Sequence, residues 1–303
     1  MTYFNRSADE FMPVGRGPFN PTDENQPEAP ALLRNGLYYR TRVFPELVTL
    51  VDACQRGQMS YDELPLDALQ SWNETGWKEP HVSHEAVVRF GAKITEEATE
   101  VIDAADEYFE TQDSAHLVEE LGDYQWTATA LIGNAGVVVG DSIARRLFDY
   151  AKGTRVWSSQ GAISYPKWYD VATGIAVKRG PITIGDLDDL IKVGFVPQGS
   201  IAMNQDEHEQ VSPTYFANDC LMLGRMLTLL CERQFDSNRH PSIYGLDFKA
   251  EADDVGKIAA EIYLRTAAVA AYVGTDLAHV ASVNVDKISG RIVTNTVDKL
   301  ERP

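Results

Sequence analysis

Two short stretches decide how this chain is read: Lys93-Ile-Thr-Glu-Glu-Ala-Thr-Glu100 and, after nineteen further residues, Glu120-Leu-Gly-Asp123. Glu97 and Glu100 are three apart, as are Glu120 and Asp123, so each pair shares one face of a helix. Like charges at that spacing repel, and a helix gains nothing from them unless a cation sits between. An antiparallel turn near Gln112-Asp113 would bring the four carboxylates to one point. Hard oxygens gathered there suit Mg²⁺ or Mn²⁺, which take carboxylates together with phosphate oxygens and water. Either pair alone is better explained by a solvated acidic face. Two pairs in adjacent helices, each beside a small residue (Ala98, Gly122), shift the balance toward metal.

The flanking sequence is helical. Phe44, Leu47, Val48, Leu50, Val51 and Cys54 recur at helical spacing, and Gly57 stops the run. A short second helix is expected over Asp62 to Leu69. Ser83 then caps a long one whose apolar stripe is Val87, Val88, Ile94, Ala98, Val101, Ile102 and Ala105. Further helices are expected over about Ser114 to Ile132 and Asp141 to Ala151. Residues 1–40, rich in Pro, Gly and Asn, read as an irregular arm that can touch the body through Phe11, Phe19 and Tyr38.

The second half echoes the first. Phe44-Pro45, Arg56-Gly57, Ser60 and Glu63-Leu64 are matched by Tyr165-Pro166, Arg179-Gly180, Thr183 and Asp186-Leu187. Ser83 is matched by Ser212 and its helix through Leu221, Leu223, Met226, Leu227 and Leu230, a stripe read as core. The spacing from Asp123 to Gly136 recurs from Glu261 to Gly274. Asp236 to Asp247 reads as a loop peculiar to the second copy. The expected fold is therefore all-α: a helical bundle of two homologous halves, a fused pseudo-dimer, over residues 41–152 and 153–303 behind the 1–40 arm.

Composition bounds the function. The chain has 303 residues, 44% hydrophobic and 24% charged, which suffices for a sizeable core. A formal net charge of −18 opposes binding to a nucleic acid polymer, and no block of Lys/Arg offsets it. The longest apolar stretch, Ala128 to Val139, is too short for a bilayer and contains Asn134. Cys54, Cys220 and Cys231 form no C-x-x-C pair and read as buried thiols. With no apolar signal segment at the start, the expectation is a cytoplasmic protein without membrane partners.

Lys-x-x-Glu-Glu-x-x-Glu followed by Glu-x-x-Asp resembles the MazG-like all-α nucleoside triphosphate pyrophosphohydrolases, a superfamily that includes the dimeric dUTPases and phosphoribosyl-ATP pyrophosphatase. Gly274-Thr-Asp-Leu277 leading to Asn284-Val-Asp-Lys287 is similar to that family's final helix with its N-x-x-K. The match covers about 84–136 and 255–300. The resemblance implies hydrolysis of a (deoxy)nucleoside triphosphate between its α and β phosphates, with Mg²⁺ or Mn²⁺ as cofactor. It implies Glu97, Glu100, Glu120 and Asp123 as metal ligands and Glu96, or one of the ligands, as proton acceptor. It further implies Lys93, Asn284 and Lys287 on the phosphates. Trp126, one turn beyond Asp123, either stacks on a base or packs in the core.

Aligning the halves sharpens this. Glu97 and Glu100 correspond to Met226 and Leu229, Glu120 to Ile258 and Asp123 to Glu261, so the second half keeps one acid of four. Asn284 and Lys287 correspond to Arg146 and Asp149, so the first half lacks the N-x-x-K. The expectation is one composite site: metal ligands from the first half, and Asn284, Lys287 and either Arg291 or Tyr263 from the second. The chain would then be a monomeric pseudo-dimer or a homodimer. His81 and His84 have no third ligand nearby and read as a loop and helix-start pair. The rival readings are phosphoribosyl-ATP hydrolysis and a non-catalytic nucleotide-binding regulator.

Overall fold

Long amphipathic runs punctuated by glycine produce helices, and helices dominate. The computed structural model describes residues 45–75, 84–154, 156–157, 163–197, 213–239 and 248–293. In chain order they form α1 (Pro45–Gln55), a 3-10 turn (Tyr61–Glu63), α2 (Leu66–Thr75), α3 (His84–Thr111), α4 (Ala115–Asn134) and α5 (Val139–Gly153). After a two-residue antiparallel pair, β1 (Val156–Trp157) and β2 (Ile163–Ser164), come α6 (Trp168–Ala176), α7 (Ile184–Lys192), α8 (Pro213–Arg239), α9 (Phe248–Tyr272) and α10 (Leu277–Val293). The fold is all-α helical packing. The arm over 1–40, with Phe11, Phe19 and Tyr38, lies outside the described residues, as do Phe44, His81, Ser83 and Ser212.

Glycine sets several ends. Gly57, Gly136 and Gly274 follow α1, α4 and α9 with φ of +67°, +68° and +83°, the left-handed region that a Cβ disfavours. Gly180, paired with Gly57 by sequence, has no positive φ; Gly194, beyond α7, takes that conformation instead (φ +87°). Thr183 starts α7 with a capping box, accepting from the Asp186 N–H while Asp186 accepts from the Thr183 N–H.

The core is built where the helical stripes meet. α3 lies along α8, and α3 and α4 form an antiparallel hairpin through Gln112. A Cβ on Gly91 would sit 2.2 Å from Thr228 Cγ2, so that glycine lets α3 and α8 approach closely. α10 packs on α4, α5 packs on α9, and α4 touches α9. Leu64 and Ile184 lie in a short extended contact, Ile184 N–H donating to Leu64 O (3.0 Å) and Leu66 N–H to Ile182 O (3.0 Å).

Four expectations are corrected. The segment over Asp62–Leu69 is not one helix: Pro65 separates a 3-10 turn from α2, which runs on to Thr75. Val88 is exposed, because the buried face of α3 turns through Ala86, Val87 and Phe90. The stripe on α8 is only partly core: Leu223 and Leu227 are buried, whereas Met226 is 42% and Leu229 58% exposed, with Met222 beside them. Their face of α8 points away from α3. Finally, α8 continues to Arg239, so Asp236 belongs to a helix.

The three cysteines are buried free thiols. Burial, aided by the nearby Glu63 charge, pushes Cys54 up to about 11; burial does the same to Cys231, to about 12. Both are therefore unreactive at neutral pH. Among the described residues, no single helix is long and apolar enough to cross a membrane.

Candidate metal centre

The α3–α4 hairpin brings together three of the four expected carboxylates. Glu97 from α3 and Glu120 and Asp123 from α4 each offer a carboxylate oxygen, and these oxygens lie within 4.8 Å of one another. Glu97 is buried, 4% exposed, and its Oε2 has no hydrogen-bond partner. A carboxylate oxygen out of water and unpaired costs several kcal/mol of solvation unless something compensates it. Oε1 meets Lys93 Nζ at 2.8 Å, one turn back on α3. Burial pushes the Glu97 carboxyl up to about 7 against the pull of Lys93, with the Asp123 charge and the nearby Glu100 carboxyl adding to the rise. Glu100, half-buried, is not among the three whose oxygens meet. Glu96 faces solvent and pairs with Lys93 at 3.1 Å.

Glu120 is half-buried, its carboxyl raised by burial and then by Asp123. His116, one turn earlier on α4, places Nε2 3.3 Å from Glu120 Oε1 and Nδ1 2.7 Å from Glu107 Oε2 on α3. The spacing of His116 and Glu120 at i, i+4 is legible in the sequence, but the contribution of Glu107 depends on the hairpin register.

The last helix closes the cluster. Asn284 Nδ2 donates to Asp123 Oδ1 (2.8 Å), and Lys287 Nζ donates to Asp123 Oδ2 (2.6 Å) while also pairing with Glu119. Burial alone would lower Lys287, but the bonds to Asp123 and Glu119 outweigh it and raise the ammonium. Two features hold α10 in place. A Cβ on Gly122 would lie 2.8 Å from Asn284 Cβ, so only glycine lets α4 and α10 come this near. Asp188, buried on α7, accepts from the N–H groups of Leu277 (2.8 Å) and Ala278 (3.3 Å), capping the start of α10.

Other expected residues fall elsewhere. Trp126 is half-buried, edge-on to Trp72 with centroids 5.2 Å apart, and its carbonyl accepts from Asn73 Nδ2 (2.8 Å). Tyr263 is fully buried and bonds Thr129 Oγ1 (2.7 Å) instead of reaching the carboxylates. Arg291 lies in α10, with its side chain outside the described residues, as is that of His84. Glu119, Glu107 and His116 were not singled out by motif.

A second polar cluster has the same ground plan. Arg146 Nε on α5 donates to Glu261 Oε1 on α9 (2.5 Å), and the Tyr150 hydroxyl donates to the same oxygen (2.6 Å). Arg265 bonds Glu261 Oε2 (3.3 Å) and pairs with Asp219 on α8. Asp123 and Glu261 are separated by the same number of residues as their partners Asn284 and Arg146. The helix caps repeat too: Asp67 accepts from the Gly140 N–H at the start of α5 (3.0 Å), as Asp188 does at the start of α10. Here, however, both carboxylate oxygens of Glu261 are held by side chains.

Comparison with protein-family models, curated proteins and solved structures returns no match.

Proposed function

We propose that the α3–α4–α10 cluster is the active centre of a metal-dependent nucleoside triphosphate pyrophosphohydrolase. The observation that carries this reading is Asp123: one carboxylate bonded to both Asn284 and Lys287 of the distant C-terminal helix, beside the buried, unpartnered Oε2 of Glu97. The donor set fits Mg²⁺ or Mn²⁺, being all hard carboxylate oxygen, with Glu97, Glu120 and Asp123 as ligands and Glu100 adjacent. The orphaned oxygen of Glu97 is what such an ion would satisfy. The surrounding side chains then divide the work.

An ion bound there would polarise phosphate oxygens and acidify a water. Glu97, Glu100 and Glu120 supply acceptors that orient a water and take its proton as its oxygen bonds to phosphorus. The bond between the α and β phosphates breaks, and the leaving pyrophosphate takes the electron pair. Lys93 and Lys287 carry the charge that develops on it, and Asn284 holds α10 against Asp123. Glu96 serves as a proton relay at the exposed rim. Trp126, partly buried against Trp72, lines the approach from the base side.

We also infer that the chain is a tandem duplication in which the second copy carries Met226, Leu229 and Ile258 in place of three glutamates and holds its remaining acid, Glu261, with Arg146 and Arg265. Support comes from the shared offset of 138 residues that relates Asp123 to Glu261 and Arg146 to Asn284, and from the repeated contacts and helix caps. The product would be one composite centre per chain.

The test is pyrophosphate release from the eight common ribo- and deoxyribonucleoside triphosphates, with Mg²⁺ and with Mn²⁺, beside a Glu97→Gln, Glu100→Gln variant. Release from one or a few nucleotides, lost in the variant, is expected. Nucleotide binding without release from any would favour the regulator reading or phosphoribosyl-ATP as substrate.

A further inference from the structure

Two ammonium groups stand on carboxylates that a divalent ion would use. Lys93 Nζ lies 2.8 Å from Glu97 Oε1 and 3.1 Å from Glu96 Oε2. Lys287 Nζ lies 2.6 Å from Asp123 Oδ2 and also pairs with Glu119. Each lysine thus has one carboxylate inside the cluster and a second at its rim, where the Glu96 side chain is 60% and Glu119 44% exposed. That gives each ammonium an outer seat to which it can swing without losing an anionic partner. α10 has ties besides the inner seat of Lys287. Lys93 and Glu97 are neighbours on one helix, and α10 is held separately by Asn284 on the other oxygen of Asp123 and by Asp188 at its start.

We propose that Lys93 and Lys287 are displaceable counter-ions that compete with the divalent ion for Glu97 and Asp123 until a triphosphate draws them off, so that metal and nucleotide bind as a coupled pair. This rests on the metal-centre reading above and deepens it. An ammonium some 4 Å from a divalent ion repels it even at the dielectric of water, enough to weaken binding by roughly tenfold or more. A triphosphate supplies the anionic oxygens that relieve the repulsion by taking the ammonium groups as its own partners. By linkage, whatever the nucleotide does for the metal the metal does equally for the nucleotide. The two lysines therefore weaken metal binding to the free chain and strengthen it in the complex, two opposite effects of the same side chains.

The experiment is equilibrium dialysis of Mn²⁺ against the full chain, with and without inorganic tripolyphosphate, for the wild type, Lys93→Met, Lys287→Met, the double variant and Glu97→Gln. Without tripolyphosphate, each lysine variant is expected to bind Mn²⁺ about tenfold more tightly than the wild type, and Glu97→Gln is expected to lose it. With tripolyphosphate, the wild type should retain more Mn²⁺ and the double variant should gain little. Mn²⁺ affinity that depends on Glu97 but is unchanged or weaker in folded lysine variants would overturn the counter-ion role while leaving the metal centre standing. No Mn²⁺ on any of the proteins would remove the metal centre itself. Because Lys93 pairs with Glu96 and Glu97 of its own helix, its variant remains informative if Lys287→Met fails to fold.

Discussion

Asn284 donates a hydrogen bond from Nδ2 to Asp123 Oδ1 at 2.8 Å, joining residues 161 positions apart. Both side chains are largely buried, and the bond fixes the angle at which α10 presents Lys287 to the α3–α4 carboxylates. Asn284→Ala should cost ~1–2 kcal/mol of stability, the worth of a buried bond to a charged acceptor, and lower turnover at least tenfold. Urea unfolding and steady-state rates measured on the same preparation check both. Undiminished turnover would show that α10 does not serve the reaction.

Gly122 tests the same junction from the other side. A methyl group at this position meets Asn284 Cβ at 2.8 Å, inside contact distance, so Gly122→Ala must push α4 and α10 apart. A destabilisation of ~1–3 kcal/mol is expected, with activity falling further than the loss of folded protein explains. Gly57→Ala, strained by its φ of +67° but with nothing within 4 Å of its Cβ, is the matched control: it should lose stability while keeping its rate per folded molecule.

If the centre draws on both halves, reversing the charge at Lys287 must hurt as much as removing a ligand. Lys287→Glu places a third acid against Asp123 and Glu119 and should reduce turnover by two or more orders of magnitude, matching Glu97→Gln. Rates for the two variants under saturating metal would decide it; wild-type-like turnover in Lys287→Glu would exclude the composite centre.

The second cluster should govern stability and leave chemistry alone. Arg265, 5% exposed, pairs with both Glu261 and Asp219, so Arg265→Met takes a buried cation from two acids, of which Glu261 keeps Arg146 and Tyr150. A loss of ~3–5 kcal/mol is expected, the usual consequence of breaking a buried pair from one side. The rate per folded molecule should hold.

Asp188 ties pH to the placement of α10. Burial pushes its carboxyl up to about 6 against the pull of the Leu277 and Ala278 N–H groups, above the ordinary 3.8. The folded chain therefore holds this proton more tightly than the unfolded one, and the contribution to stability is complete below pH 3.8 and lost as pH rises through about 6. Asp188→Asn keeps an oxygen for the Leu277 N–H but cannot ionise. Relative to wild type, the variant should gain stability between pH 4 and pH 7, read from urea midpoints at each pH; parallel curves would contradict the assignment.

Much of the fold was legible because helical stripes and glycine stops are local signals. Gly57, Gly136 and Gly274 end their helices in the left-handed region as the sequence requires. The carboxylate pairs were legible for the same reason, since i, i+3 spacing fixes a helix face whatever the rest of the chain does. What spacing cannot convey is which side of a helix another helix covers. Met226 looks like core beside Leu227, yet it faces outward because α3 takes the adjoining stripe. Tyr263, equally, points into the interior toward Thr129, and nothing in its neighbours along the chain distinguishes that from a place in the site. Glu107 and His116 became neighbours only through the register of the α3–α4 turn, set by the left-handed backbone at Gln112 (φ 60°).

The most direct measurement is the identity of the phosphorus products, followed by ³¹P NMR as the chain turns over whichever triphosphate the release assay selects, with Mg²⁺ present. Equal amounts of nucleoside monophosphate and pyrophosphate, with none formed by Glu97→Gln, are the predicted outcome. Orthophosphate and nucleoside diphosphate, or the same products from Glu97→Gln, would contradict the assignment of the α3–α4–α10 cluster as a pyrophosphohydrolase centre.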